Sequence, residues 1–243
     1  MVDTLKLTRR FCVPPGESPV YGPPTFLRKW VVHGLDGAFA LGIDKLTSAD
    51  SYSEVFAARI EAFASSNELR LTHPTDTSVN VRYLLDVIDR PPSVPIPLTS
   101  LWQLVSLIPL LQRYEFDTLL ARFKGLLRRQ ANDSSPGKIF VFLAAARLPN
   151  HDICASAIQH GGRETWSEVL RQAGEEVEEQ VGIERDSREM GCFDIRGWSE
   201  AISTRILGPI LSALFAALRE TDIRTDGGDR DWATVAQEFR RLG

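Results

Sequence analysis

Between Ser100 and Leu127 the sequence SLWQLVSLIPLLQRYEFDTLLARFKGLL sets Leu101, Leu104, Val105, Ile108, Leu111 and Tyr114 at steps of three and four. The spacing then resumes with Leu119, Leu120, Phe123, Leu126 and Leu127. Residues three and four apart share one face of an α-helix. The stretch therefore predicts two apolar-faced helices joined at Tyr114-Glu115-Phe116-Asp117, a helical hairpin with a tyrosine at its corner and no catalytic group beside it. Pro109 lacks a backbone donor, which predicts a kink or an early break in the first helix.

The flanking sequence sets the order of elements. Residues 1–25 are crowded with proline and glycine (Pro14-Pro15-Gly16, Pro19, Gly22-Pro23-Pro24) and read as an irregular lead-in. Leu27 to His33 is β-prone, Leu35-Asp36-Gly37 carries hairpin turn chemistry, and Ala38 to Ile43 alternates with period two. A helix capped by Thr47 or Ser48 follows, with Tyr52, Val55, Phe56, Ile60 and Phe63 on its apolar side. Then come a short strand, Glu68 to Thr72, and a helix capped at Thr77-Ser78 and stopped by Pro91-Pro92. An extended connector, Pro91 to Leu98, leads to the helical hairpin. Beyond it, Lys138 to Leu148 and His151 to His160 read as two helices, Glu164 to about Arg185 as one charged amphipathic helix, Trp198 to Glu220 as one apolar helix, and the segment after Asp229 as a last helix around Trp232, Val235 and Phe239. No internal repeat is visible.

This order and several of its residues resemble the BTB/POZ family. Asp36-Gly37, Phe39, Leu41 and Leu46 are similar to the family's hairpin, Ser53 and Phe56 to its next helix, Leu69 and Leu71 to its short strand, and Val81 to Ile88 to a following helix. Leu101 to Leu127, with Tyr114 at the corner, is similar to its capping hairpin. The proline-rich connector is most similar to that of divergent BTB-like proteins of fungi. The chain departs from the pattern at Lys29 and Trp30, where an acidic residue is usual, and at Gly42, where a histidine is usual. The resemblance implies an α+β chain, a small sheet flanked and capped by helices over residues 26–130, followed by an all-helical extension over 131–243.

Composition narrows the function. The 243 residues are 43% hydrophobic, enough to bury a core, and the net charge is −4 with 28 basic residues scattered along the chain. No basic stripe marks a nucleic-acid or membrane surface. Three cysteines, Cys12, Cys154 and Cys192, lie far apart and fit neither a disulfide framework nor a C-x-x-C site, which predicts a reducing intracellular compartment, cytoplasmic or nuclear. The N-terminus has no apolar run of signal-peptide length. The common hydrolase, P-loop, dinucleotide and zinc-protease motifs are all missing.

Five local clusters have plainer readings beside a functional one. His151, Asp152 and Cys154 could activate a thiolate, but a helix-start acid followed by a buried cysteine explains them. Asp222, Asp226, Gly227, Asp229 and Asp231 lack the order of a calcium loop. Arg122, Lys124, Arg128 and Arg129 suit the last turns of a helix. Glu175, Glu176, Glu178 and Glu179 suit a solvated face or a docking surface for a basic partner. The tryptophans read mostly as core anchors.

The expectation is a non-enzymatic protein–protein interaction module with no catalytic, metal or cofactor site. The resemblance implies self-association through Phe26, Trp30, Val32, Tyr52, Val55 and Phe56, giving a homodimer. It also implies a protein partner on Trp102, Tyr114 and Phe116, with an adaptor role towards a cullin-type ubiquitin ligase. The alternatives are a helical scaffold, or an enzyme whose site assembles from dispersed residues such as His151, Cys154 and Glu175.

Overall fold

The computed structural model describes residues 29–33, 38–42, 53, 55, 58, 68–71, 73–74, 76–89, 96–222 and 230–243, with the side chains of the strands and of 85–89 excepted. By packing, these fall into two units. One is drawn from the residues up to Val94 together with Pro109–Ala121, the other from Pro95–Ile108 together with Arg122–Gly243.

The first unit holds β1 (Lys29–His33), β2 (Ala38–Gly42), β3 (Glu68–Arg70) and helix α1 (Ser78–Asp89). β1 runs antiparallel to β2, with Val31 opposite Ala40, and parallel to β3, with Val32 opposite Leu69. Thr77 caps α1, its Oγ1 accepting from the Asn80 amide at 3.3 Å. The unit also takes the end of helix α2 (Leu98–Arg113) and the start of helix α3 (Asp117–Asn132). Helix α2 runs through Pro109, which forgoes the bond to the Val105 carbonyl without ending the helix.

The α2–α3 corner is tightly made. The amides of Tyr114, Glu115 and Phe116 donate back to Leu110, Gln112 and Leu111 at 3.1, 3.3 and 2.9 Å. Glu115 takes a left-handed φ of 52° to turn the chain. Tyr114 is 2% exposed, and its hydroxyl donates to Asp76 Oδ2 at 2.8 Å. The same carboxylate oxygen accepts from the His73 amide at 2.9 Å, and the Ser53 hydroxyl donates to the Tyr114 carbonyl. This buried polar knot ties the corner to the residues just before α1.

Among the described residues the second unit is helical apart from its turns and one isolated antiparallel bridge between Thr165 and Gly191. It continues with α4 (Lys138–Arg147), α5 (His151–Gly161), α6 (Trp166–Ala173), α7 (Glu175–Val181), α8 (Glu200–Ser203), α9 (Gly208–Asp222) and α10 (Trp232–Leu242). Helix α4 is buried from Lys138 through Ala146, the pattern of a central helix. Helix α5 packs on α4 and α10, and α10 on α9. Phe142 meets Phe193 and Phe239 edge to face, at centroid separations of 5.4 and 6.2 Å.

Lys138 at the head of α4 is 1% exposed. Its Nζ donates to the Gln130 carbonyl at 2.5 Å, to Asp133 Oδ1 at 2.6 Å and to the Ser135 carbonyl at 2.7 Å. The cation thereby satisfies a carbonyl of the last turn of α3, where the helix dipole is negative. Glu164 Oε2 accepts from the Gly137 and Lys138 amides at 3.1 and 2.9 Å, putting a carboxylate on the first turn of α4. Gly161 lets the end of α5 come against Lys138, since a Cβ there would lie 2.2 Å from the lysine Cβ.

The α+β expectation is overturned. Where backbone and side chains are both described, helices of all kinds account for 72% of residues and no strand falls there. The strands, of five, five and three residues, are backbone pairing only, too little to form a layer on which helices could be organised. The part described with side chains is helical, and a small sheet flanked and capped by helices does not describe it. Two other expectations change. The single charged helix from Glu164 breaks at Gly174, whose φ of +89° no helix accommodates. The single apolar helix from Trp198 becomes a 3₁₀ turn (Ile195–Gly197), α8 and α9, with Gly208-Pro209 starting the last. The expected helix from Thr47 lies outside the described residues, apart from the helical positions Val55 and Ala58.

Two expected outcomes follow from these polar knots. Tyr114→Phe leaves the Asp76 carboxylate one donor short and lowers unfolding free energy by about 1–3 kcal/mol in urea titration; an unchanged midpoint would remove the knot's role. Burial pushes the Glu164 carboxyl up to about 7, against the amides and ammonium of Lys138 that favour its charge. A carboxyl raised above its unfolded value binds more protons folded than unfolded, so its contribution is full at low pH and falls as pH rises from the ordinary glutamate range to about 7. Glu164→Gln should flatten that part of the Tm–pH curve, and a curve with the wild-type slope would refute the assignment.

Candidate interaction cleft

The residues expected to form a partner surface do not form one. Trp102, Tyr114 and Phe116 are 1%, 2% and 0% exposed. Helix α2 is covered nearly all round, with Leu101, Leu104, Val105, Leu107, Ile108, Leu110 and Leu111 also buried, so an aromatic on it is core whichever way it points. Of the self-association residues, Phe26, Tyr52 and Phe56 lie outside the described residues. Trp30 and Val32 are placed only as backbone of β1, and Val55 is helical and half-buried.

The dispersed enzyme site does not assemble as a thiol centre. Cys154 is fully buried, its thiol donates to the Phe142 carbonyl at 3.8 Å, and burial pushes its pKa far above the ordinary thiol range. The His151 ring lies 5.6 Å from that of Phe239, and Glu175 is exposed at the head of α7. Burial, with the charges of Glu164 and Glu168, also pushes the Cys192 thiol up. Asp231 is the N-cap of α10, accepting from the Ala233 amide at 3.0 Å, and Asp222 pairs with Arg230. Glu178 pairs with Arg188. Among the described residues no group of three or more His, Cys, Asp or Glu is placed to hold a metal ion.

The arrangement best suited to recognition lies elsewhere, in an open cleft of about 700 Å³ between the 193–196 segment and α9. Helix α9 buries Ile210, Ala213, Leu214, Ala217 and Leu218, and this stripe leaves Phe215 on the outer side, 51% exposed. Arg219, one turn on, shares that face with Phe215. Across the cleft stand Phe193 and Ile195, with Arg196 and Arg230 at its margin.

Its charges are mostly matched. Asp194 holds Arg196 in a two-point pair, Nε to Oδ1 at 3.0 Å and Nη2 to Oδ2 at 2.7 Å. Those bonds keep the Asp194 carboxyl below the usual range and raise the guanidinium in turn. Arg230 donates its Nε to Asp222 Oδ1 at 3.0 Å and stands 5.4 Å from the Trp232 ring. Arg219 is exposed and has no hydrogen bond or ion pair among the described residues. An exposed aromatic beside a spare guanidinium and two ordered Arg–Asp pairs is a set of groups suited to binding.

Sequence reasoning missed this cleft. The signal available was Phe215 itself, a large aromatic lying off the apolar stripe of its own helix. No protein-family model, no curated protein and no solved structure matches the chain. No helix among the described residues is long and apolar enough to cross a membrane.

The buried thiols carry a direct test. Iodoacetamide at mildly alkaline pH should leave Cys154 and Cys192 unlabelled in the folded protein and label both after denaturation, as read by peptide mapping; rapid native labelling of Cys154 would restore it as a reactive centre.

Proposed function

We propose that the chain is a non-enzymatic protein-binding module whose partner docks on the Phe215 cleft. The observation that carries this reading is Phe215, half-exposed on α9 in a concave site edged by Arg196, Arg219 and Arg230. Aromatic and arginine side chains are the types that most often dominate binding energy at interfaces, and a concave setting lets a partner desolvate them. The resemblance of the 36–56 and 101–127 segments to BTB/POZ sequences supports the same kind of role, since such proteins act by association. It suggests two forms, a homodimer and an adaptor bridging a partner to a cullin-type ubiquitin ligase.

The test compares wild type with Phe215→Asp. Sedimentation of the purified proteins reads self-association, and quantitative crosslinking capture from the native cell reads partners. Loss of the aromatic anchor and the addition of a charge should weaken the association by about tenfold or more, with Tm unchanged because the side chain is half-exposed. Equal sedimentation and equal capture by the two proteins would overturn the reading.

A further inference from the structure

The surface of α9 carries more than Phe215. Leu207, immediately before the helix, is 37% exposed, and its carbonyl accepts from the Leu211 amide at 3.0 Å, so the helical path already begins there. Leu207, Leu211 and Phe215 stand at steps of four, and Arg219 is the next step. Residues four apart form one of the oblique ridges by which a helix packs against another helix. The core takes Ile210, Ala213, Leu214, Ala217 and Leu218, and the ridge leaves that stripe at an angle, with Leu211 half-buried at its edge and Phe215 clear of it. The ridge is apolar over about 12 Å at the ordinary helical rise and ends in a cation.

Its two flanks differ. On one lies the cleft with Phe193 and Ile195. On the other, the row Gly208, Ser212 and Ala216 is made of small residues, and a Cβ at Gly208 would meet nothing within 4 Å. A raised apolar row between two depressions is the relief into which the side chains of a second helix interdigitate.

The charge at the end of the ridge sets the sign of what fits. Three guanidinium groups, Arg196, Arg219 and Arg230, face two carboxylates, Asp194 and Asp222, at the cleft. Asp194 is held by Arg196 and Asp222 by Arg230, so the excess cation is Arg219, the group in line with Phe215. Glu220 acts on α10 instead, where the Arg241 guanidinium is raised by its bond to Glu238 and by the charge of Glu220. A basic segment would be repelled at Arg219, and an uncharged one would strip water from its N–H donors without replacing it. A carboxylate meets both demands, and a guanidinium can take it through two parallel bonds.

We propose that the partner of the Phe215 cleft presents an amphipathic α-helix, its apolar side on Leu207, Leu211 and Phe215 and a carboxylate on Arg219. This rests on the cleft being a docking site and adds the shape and charge of what docks there. An extended segment gains its affinity from a strand edge, which α9 does not offer, whereas a helix is read through apolar anchors three and four residues apart.

The test is selection on the immobilised full-length protein from a display library of amphipathic helices about 16 residues long, long enough to hold a helix of several turns, randomised at their charged positions. Enriched sequences are remade as labelled peptides and titrated by fluorescence anisotropy, with helix content read by circular dichroism. Asp or Glu should be enriched at one end of the apolar side, and helix content should rise on binding. Affinity should fall about tenfold or more against Phe215→Asp and against Leu207→Asp. Aspartate suits a position just before a helix, so Leu207→Asp should keep the wild-type Tm. Selection on Arg219→Glu should replace the acid with Lys or Arg. The helix proposal is overturned, and the cleft reading stands, if the peptides need Phe215 but Leu207→Asp leaves their affinity unchanged or Arg219→Glu leaves their charge preference unchanged. It is also overturned if no sequence is enriched over a blank surface. Peptides that bind Phe215→Asp as tightly as wild type would overturn both.

Discussion

The helical unit depends on one buried ammonium. Lys138 is enclosed where the end of α3, the 133–137 connection, the head of α4 and the end of α5 converge. Burying a cation is costly unless it is paired and its protons are bonded, and here Asp133 supplies the charge while two backbone carbonyls take the other protons. The arrangement also settles two helix ends at once, the cation at the C-terminus of α3 and Glu164 at the N-terminus of α4. Helix α4 is buried along nearly its whole length, so the unit's core is positioned by whatever positions its first residue.

Much of the helical framework was legible because its information is local. The α2–α3 hairpin, its corner at Tyr114, the cap at Thr77 and the ends of α4 and α5 depend on residues within a turn or two of one another. Class was misjudged for the opposite reason. Alternation around Ala38 to Ile43 says that a backbone can pair; it does not say whether the pair grows into a layer. Lys138 was equally opaque, since a lysine heading an apolar run reads as solvated and its partners lie at 130, 133 and 135. Trp102 was read as surface because periodicity marks one face of a helix, whereas α2 is covered on the others too.

The same locality limits reading of the candidate site. Phe215 and Arg219 sit one turn apart and could be paired by eye, but Phe193, Ile195 and Arg196 reach the cleft from a turn and the start of a 3₁₀ segment with no periodicity of their own. At the cleft Asp194 and Asp222 are paired with Arg196 and Arg230, and Phe215 and Arg219 face outward.

The missing side chain of Gly161 works as a spacer of zero thickness. It sets how far the end of α5 stands from Lys138, and through that the reach of the Glu164 carboxylate onto the head of α4. Helix propensity would favour alanine over glycine at that position. A survey of every residue type there would therefore rank variants by size and not by helix preference, with alanine, usually the gentlest replacement, already on the wrong side of the boundary.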